Sequence, residues 1–580
     1  MKNKKTTPSI SSGIKTLFEI LDSSHKEKFV GIVLLAIFVA IFEVIAAIFI
    51  ANFSKILFEP QEGIKYFEQL RFIDIRVNEE NIILVSSIIL GIIFLIKNIL
   101  AIVEVFYHNF SIQKICYNFK EKIFSLYLYS DYSFYLNRNS AKSIEVLHIH
   151  IETTLAQGLI ALANILIEFI VLICLLMVLI YLNPSIALSI MFLCLFTAFI
   201  IQKIFLPRYY YWGKDLLNNY DDIQKFLIEV FNCTKEINIF KKQIYFLNNF
   251  SNFVRKFARS KAFITATNSI PRFFLEILFV SIFIFTIFFL TKNNYNFNEL
   301  VGLLGAFLYA GFRIMPGLNR IINQVNIFKS SIPSIETVSE ELKSLRNNEI
   351  QSLNNASEKK MKFNDNIKLS NINLCYKNKK PVLKNINITI NKGEIIGIIG
   401  PTGSGKSSLI NIISGIQKPE SGEIIIDGKK LTNPNLWKNN IAFVSQNIFL
   451  LDNSIKKNIA FGENKINETR LSFALQNSQL KDTIEKLDEG IDTFIGEHGK
   501  ELSGGQIQRI AIARALYLNR KVLIFDEATS ALDLQTERKI LGFLKKKTYN
   551  ATVIIVTHKP NTIRFCDKIF NITNGIINQR

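Results

Sequence analysis

Tryptophan is nearly missing from this chain, 2 in 580 residues, and cysteine numbers only 6. The cysteines (Cys116, Cys174, Cys194, Cys233, Cys375 and Cys566) form no C-x-x-C pair and no ligand-like spacing, and several lie in apolar runs. That excludes a disulfide framework and a cysteine metal site, and leaves free, buried thiols. A cleavable signal is also lacking: the first apolar run is too long and has no small-residue cleavage site. The net charge is +20, yet no basic stripe is interleaved with aromatics, so no nucleic-acid partner is expected. The excess fits an anionic lipid surface and positive-inside topology. Finally, the second half lacks the long apolar runs that fill the first.

What is present is phenylalanine, 49 of them, and a positive mean hydropathy of +0.24. The asymmetry implies a membrane half followed by a soluble half. Apolar stretches at about 29–53, 82–106, 159–182, 187–206, 273–290 and 300–325 are each near the ~20 residues that cross a bilayer core. About six transmembrane helices are therefore expected, with Asn183-Pro184 turning the third into the fourth. Residues 203–272 are basic, the loop 55–80 leans acidic, and the turn between spans three and four has no Lys or Arg. Both termini and the segments 107–158 and 207–272 are then cytoplasmic. Those segments predict long helical extensions whose tips, 132–139 and 238–246, dock on the soluble half. Ile14, Leu17, Phe18 and Leu21 recur at helical spacing, predicting a short helix lying on membrane lipids.

Charges inside spans are expensive and must face the bundle interior, water or a partner charge. Lys97, Arg272, Arg313 and Arg320 are candidates for a cavity that receives an anionic substrate; internal pairing with Glu43, Glu104, Glu168 or Glu276 is the plainer alternative. Arg313 and Arg320 share a helix face, with Pro316 between them.

The domains read as 1–335 transmembrane, 336–365 a polar linker, and 366–580 an α/β domain of short apolar strands alternating with helices. Within the last, Ile395 to Ile399 form an apolar strand. It breaks into Gly400, Pro401, Thr402, Gly403, Ser404, Gly405, Lys406, Ser407 and Ser408, and a helix follows. Strand, glycine-rich loop and helix N-terminus together make a phosphate cradle. Lys406 is placed for the β- and γ-phosphates of ATP, and Ser407 for Mg2+.

Tyr376, GPTGSGKSS (400–408), Gln446, LSGGQ (502–506), VLIFDE (522–527), SALD (530–533) and His558 occur in the order of an ABC-transporter nucleotide-binding domain, which residues 366–580 resemble throughout. The resemblance implies a helical membrane domain fused to a P-loop ABC ATPase, in the layout of type IV exporters. It implies that Tyr376 stacks on adenine, that Asp526 and Gln446 join Ser407 around Mg2+, that Glu527 polarises the attacking water, and that His558 contacts the γ-phosphate. Ser503, Gly504, Gly505, Gln506 and Asp533 would bind ATP held by a second copy, so a homodimer is implied. Two departures stand out: Lys559-Pro560 follows the histidine where an Arg-Leu pair is common, and His498 precedes the signature where Arg is frequent.

The stretches 270–279 and 308–322 resemble the bacterial lipid-linked oligosaccharide flippase. Arg272, Arg313 and Arg320 match its cavity cations, and Lys97 replaces a fourth arginine, losing the bidentate fork. That implies an inner-membrane flippase for a polyprenyl-pyrophosphate glycan, with the cassette in the cytoplasm. The alternatives are a multidrug, peptide or lipid A exporter, or an ATP-gated channel or regulatory module. A peptide-processing protease domain is not expected in residues 1–28, and six spans argue against a soluble DNA-repair-type ATPase.

Overall fold

The computed structural model describes residues 8–58, 81–136, 138, 140–182, 206–292, 297–352, 361–375, 381–496, 499–546 and 550–580, with isolated positions between 184 and 203. The chain forms two compact units, Met1–Leu128 with Arg138–Asn347, and Tyr129–Asn137 with Asn348–Arg580.

The first unit is helical. Its long elements are Ser23–Phe58, Ile82–Tyr129, Gly158–Leu182, Leu206–Asn232, Gln243–Lys292 and Phe297–Ser352. Isoleucine and phenylalanine are mediocre helix formers in water, but hydrocarbon offers the backbone no other hydrogen-bond partner, so apolar runs there wind into helices. Among the described residues four helices are long and apolar enough to cross a membrane. Most of the predicted span 187–206, and residues 59–80 of the acidic loop 55–80, fall outside the described residues. Helices of 48, 50 and 56 residues run about 72–84 Å, more than twice a ~30 Å bilayer core. The surplus length is the predicted extension. Ala40, Leu172, Leu175, Leu275, Ile314 and Leu318 form a buried cluster where four of the helices meet.

Two expectations are corrected. The amphipathic stretch forms a helix, Ile10–Ile20, but Leu17, Ile20 and Leu21 are buried in protein rather than left for lipid. At Gly13 an added Cβ would stand 3.0 Å from Ile332, so the small residue lets the two helices touch. The stretch from 336 continues the last long helix to Ser352, with Val338, Leu342 and Leu345 buried. Apolar residues spaced by three and four were hidden there among polar ones.

The second unit holds two sheets. The smaller is antiparallel, from strands β1 (Asn366–Leu374), β2 (Leu383–Asn391), β4 (Ser421–Ile426) and β5 (Lys429–Lys430) in the order β2-β1-β4-β5. Strand β2 alternates buried and exposed positions along most of its length, as a one-sided strand must. The larger is mostly parallel, ordered β10-β9-β3-β8-β7-β6, from β3 (Ile395–Ile399), β6 (Ile441–Val444), β7 (Val522–Asp526), β8 (Thr552–Val556), β9 (Lys568–Thr573) and β10 (Ile576–Gln579). Every residue of β7 and β8 is buried, the unbroken apolar pattern of strands covered on both faces. The short helix Tyr132–Leu136 belongs to this unit, where Asp131 lies 3.7 Å from Lys418.

Candidate functional site: the carboxyl ends of the parallel strands

Strand β3 delivers the phosphate loop, and helix Lys406–Ile413 leaves it. Two glycines are obligatory. Gly400 has φ 151°, and a Cβ there would lie 2.2 Å from the carbonyl oxygen of Ile572. Gly405, at the N-cap, has φ 105° and would meet Leu383 at 2.9 Å. The helix is anchored at its far end by one of the two tryptophans: Trp437 is fully buried and its indole N–H donates to the carbonyl of Ile413 at 2.8 Å.

Lys406 is buried and its ammonium donates to the carbonyls of Gly400 at 2.8 Å and Pro401 at 3.0 Å. The buried hydroxyl of Ser404 has no hydrogen-bond partner. A helix N-terminus, an ammonium held on carbonyls and an orphaned hydroxyl form a donor-rich cradle, which fits the phosphates of a nucleotide. Ser407 hydrogen-bonds the carboxylate of Asp526, and burial followed by repulsion from Glu527 pushes the Asp526 carboxyl above its usual range. A cation beside Ser407 and Asp526 would relieve that repulsion, so the donor set fits Mg2+.

Three more predicted residues come together at the ends of adjacent strands. Gln446 follows β6, Glu527 follows β7 and His558 follows β8. Gln446 Nε2 donates to Glu527 Oε2 at 3.0 Å, and His558 Nε2 lies 3.4 Å from Glu527 Oε1. Glu527 sits at φ 51°, a conformation a non-glycine residue adopts only when its surroundings impose it. Its backbone N–H donates to Val556 of β8 at 3.1 Å, which fixes the turn.

The signature residues lie at the start of helix Gly504–Tyr517. Ser503 caps it, and with Gln506 forms a reciprocal capping box. Ser503 and Gly504 are exposed. Asp533 serves its own helix: its Oδ1 accepts from Gln535 N at 3.1 Å and Thr536 N at 2.9 Å, capping helix Leu534–Leu544. Tyr376 and His498 lie outside the described residues.

Sequence reasoning missed two braces. Gln508 donates to Ser530 at 2.8 Å and accepts from the N–H of Ala531 at 2.8 Å, joining the signature helix to the SALD turn. Lys559, noted only as a departure, sends its ammonium to the carbonyls of Thr529 at 2.6 Å and Leu532 at 3.4 Å. Pro560 stands at the first turn of helix Pro560–Ile563, where a missing N–H costs nothing.

In the membrane unit the candidate cations are scattered and paired. Lys97 binds Glu43 at 2.9 Å, and Arg272 binds Glu276 one turn away at 2.8 Å. Arg320 holds Glu168 through two bonds, 2.5 and 3.2 Å. Gly317 opens the space for that carboxylate, 3.2 Å from where its Cβ would be. The side chain of Arg313 lies outside the described residues. Every described member of the predicted cationic wall therefore has an acidic partner, the plainer of the two sequence readings.

The comparisons with known proteins agree with this division. Residues 29–311 match the ABC transporter transmembrane region and 383–530 the ABC transporter family. The chain belongs to the ABC transporters, with a helical membrane domain fused to a P-loop ATP-binding domain. Over 214 residues it is 44% identical to the leukotoxin translocation ATP-binding protein LktB of Mannheimia glucosida, covering 36% of this chain and 30% of LktB. Over 218 residues it is 43% identical to the alpha-hemolysin translocation ATP-binding protein HlyB of Escherichia coli O6:H1, covering 37% of this chain and 31% of HlyB. The matched stretch thus spans under a third of these relatives. The fold matches a bacterial Atm1-family ABC exporter with ATP bound, at TM-score 0.75 and 19% identity over 96% of both chains.

Proposed function

We propose that the chain is an ATP-driven exporter that works as a homodimer in the bacterial inner membrane, with its cassette in the cytoplasm. The observation that carries this is the convergence of Gln446, Glu527 and His558 on three adjacent strand ends, in the unit whose phosphate loop contains Lys406. Ser407, Gln446 and Asp526 would hold Mg2+, which supplies positive charge to the β- and γ-phosphates. Glu527 accepts the proton of the attacking water. His558, 3.4 Å from that carboxylate, orients it and faces the γ-phosphate. Lys406 exchanges its two carbonyl bonds for phosphate oxygens, and the loop N–H groups hold the rest. Tyr376 stacks on the adenine.

Two exposed surfaces argue for a second copy. The start of the signature helix, with Ser503, Gly504, Gly505 and Gln506, presents a helix N-terminus that closes over ATP held by a partner. The predicted docking tip at 238–246 carries exposed Ile239, Phe240, Ile244 and Tyr245, an apolar surface that a partner's cassette would cover.

The test is turnover by purified protein in lipid vesicles. Wild type hydrolyses ATP, and Glu527→Gln binds ATP but turns over at least ~100-fold more slowly. Rapid turnover in that variant overturns the assignment of Glu527.

For cargo, the exposed side chains of Arg272 and Arg320, 67% and 46% accessible despite their partners, support a second reading: flipping of a polyprenyl-pyrophosphate glycan. The proteins similar at the cassette are named for toxin translocation, which supports peptide export on the same scaffold. ATPase stimulation by a lipid pyrophosphate, lost in Arg320→Ala, favours the glycan; stimulation by an amphiphilic peptide alone rejects it.

A further inference from the structure

Three acid–base side chains meet within the membrane unit's long extensions, outside both sites discussed above. Glu145 ends helix Ser140–Glu145, His150 ends the π-helical segment Val146–His150, and Asp221 lies on helix Leu206–Asn232. Their ligand atoms lie within 4.8 Å of one another. His150 Nε2 is 2.7 Å from Glu145 Oε1, and Nδ1 is 3.1 Å from Ser334 Oγ on helix Phe297–Ser352. The wide π winding is what sets residues five apart face to face. Glu145 and His150 are buried, and the buried Oδ1 of Asp221 has no hydrogen-bond partner. Lys225 and Asp222, on the Asp221 helix, are the other charges nearby.

We propose that Glu145, His150 and Asp221 form a binding site for a divalent transition-metal ion of the zinc type, tying the segment 140–150 to helix Leu206–Asn232. A buried and a half-buried carboxylate this close disfavour double ionisation unless a cation or a proton lies between them. A zinc ion supplies two positive charges to the same space. One imidazole nitrogen and two carboxylate oxygens suit zinc, with water as the fourth ligand. Ser334 can accept from Nδ1–H, which frees the Nε2 lone pair for the ion and fixes the ring. Tetrahedral ligands at ~2.1 Å stand about 3.4 Å apart. The 2.7 Å contact between Glu145 and His150 therefore opens by a fraction of an ångström on loading.

The experiment uses the full chain, purified in detergent without a histidine tag and without nucleotide, in buffer containing excess Mg2+. Zn2+ uptake is measured by equilibrium dialysis with elemental analysis, and Co2+ reports geometry by its visible absorption. Wild type is expected to take up one ion per chain, with the visible absorption of tetrahedral Co2+. His150→Ala and Asp221→Asn each weaken uptake by about 100-fold, and Ser334→Ala, which keeps all three ligands, by about 10-fold. If the ligand variants fail to fold, the Ser334→Ala shift and the Co2+ spectrum decide. Absence of uptake by wild type overturns the proposal. So does uptake indifferent to His150→Ala in folded protein, or to Ser334→Ala, which would mean an adventitious ion only.

Discussion

The two halves of this chain treat charge in opposite ways. In the cassette, charged and polar groups are gathered: Lys406 rests on carbonyls, Ser407 meets Asp526, and Glu527 is held between Gln446 and His558. In the membrane unit each described cation of the predicted substrate site is neutralised by its own carboxylate, two of them between helices and one within a helix. A site for a charged ligand concentrates one kind of group and leaves it hungry. A span that must carry charge through hydrocarbon pairs it. By that criterion the cassette is a site as it stands, whereas the membrane cations look first like structure.

The contrast breaks most sharply at the phosphate loop. Lys406→Ala should lower ATPase activity by at least ~100-fold while changing the thermal midpoint little, since its partners are the carbonyls of half-buried Gly400 and exposed Pro401 rather than a buried charge. Gly400→Ala should do worse, losing nucleotide binding and stability together, because the new Cβ has no room beside Ile572. Retained ATP binding by Gly400→Ala, measured with a fluorescent nucleotide, would refute the close approach.

In the membrane half the decisive pair is Arg320 and Glu168. If they are structure, either single alanine variant costs about 1–2 kcal/mol in detergent unfolding, and the double variant recovers most of it, because no charge is then left alone. If Arg320 is also cargo-binding, the double variant recovers stability but not ligand-stimulated ATPase. Loss without recovery in both measurements would dissolve the contrast between the halves.

A third test concerns acid dependence. The Asp221 carboxyl stands at about 8 in the folded chain against an ordinary value near 4. The folded state therefore binds more protons than the unfolded one between those values. The contribution of Asp221 to stability is therefore fully present at low pH and is lost as pH rises from about 4 through about 8. In metal-free protein, the thermal midpoint should fall across that window more steeply in wild type than in Asp221→Asn, which carries no titrating proton. Equal slopes would show that Glu145 and Asp221 do not share a proton.

How much of this was legible follows the same division. The grouping of the candidate ATP-site residues was readable because they are local to strand ends, and the ordered motifs place a loop, an acid pair and a histidine on neighbouring strands. The long extensions were readable from patterning. Pairing in the membrane was not, since Arg320 and Glu168 are 152 positions apart and nothing in either helix names the other. The trio of Glu145, His150 and Asp221 was invisible for a similar reason: α-helical spacing does not bring residues five apart together, and the π segment that does so has no sequence signature. The buried face at Val338, Leu342 and Leu345 was legible in principle, but its polar neighbours disguised a helix as a linker.

The smallest expected effect separates structure from chemistry within the cassette itself. Ser503 is predicted to bind the partner's ATP, yet its hydroxyl already accepts from Gln506 N at 3.3 Å as the helix cap. A hydroxyl can do both, accepting from the backbone and donating to a phosphate oxygen. Ser503→Ala loses both bonds and should cost about 1 kcal/mol of cassette stability. Ser503→Asp is an equally good cap but sets a negative charge against the phosphates. It should keep the stability of wild type, at low ionic strength even exceed it, because a carboxylate at a helix N-terminus is favoured. Its ATPase activity should nevertheless fall further than that of Ser503→Ala. If Ser503→Asp turns over as wild type does, the signature helix does not close on nucleotide, and the cassette needs no second copy to complete its site.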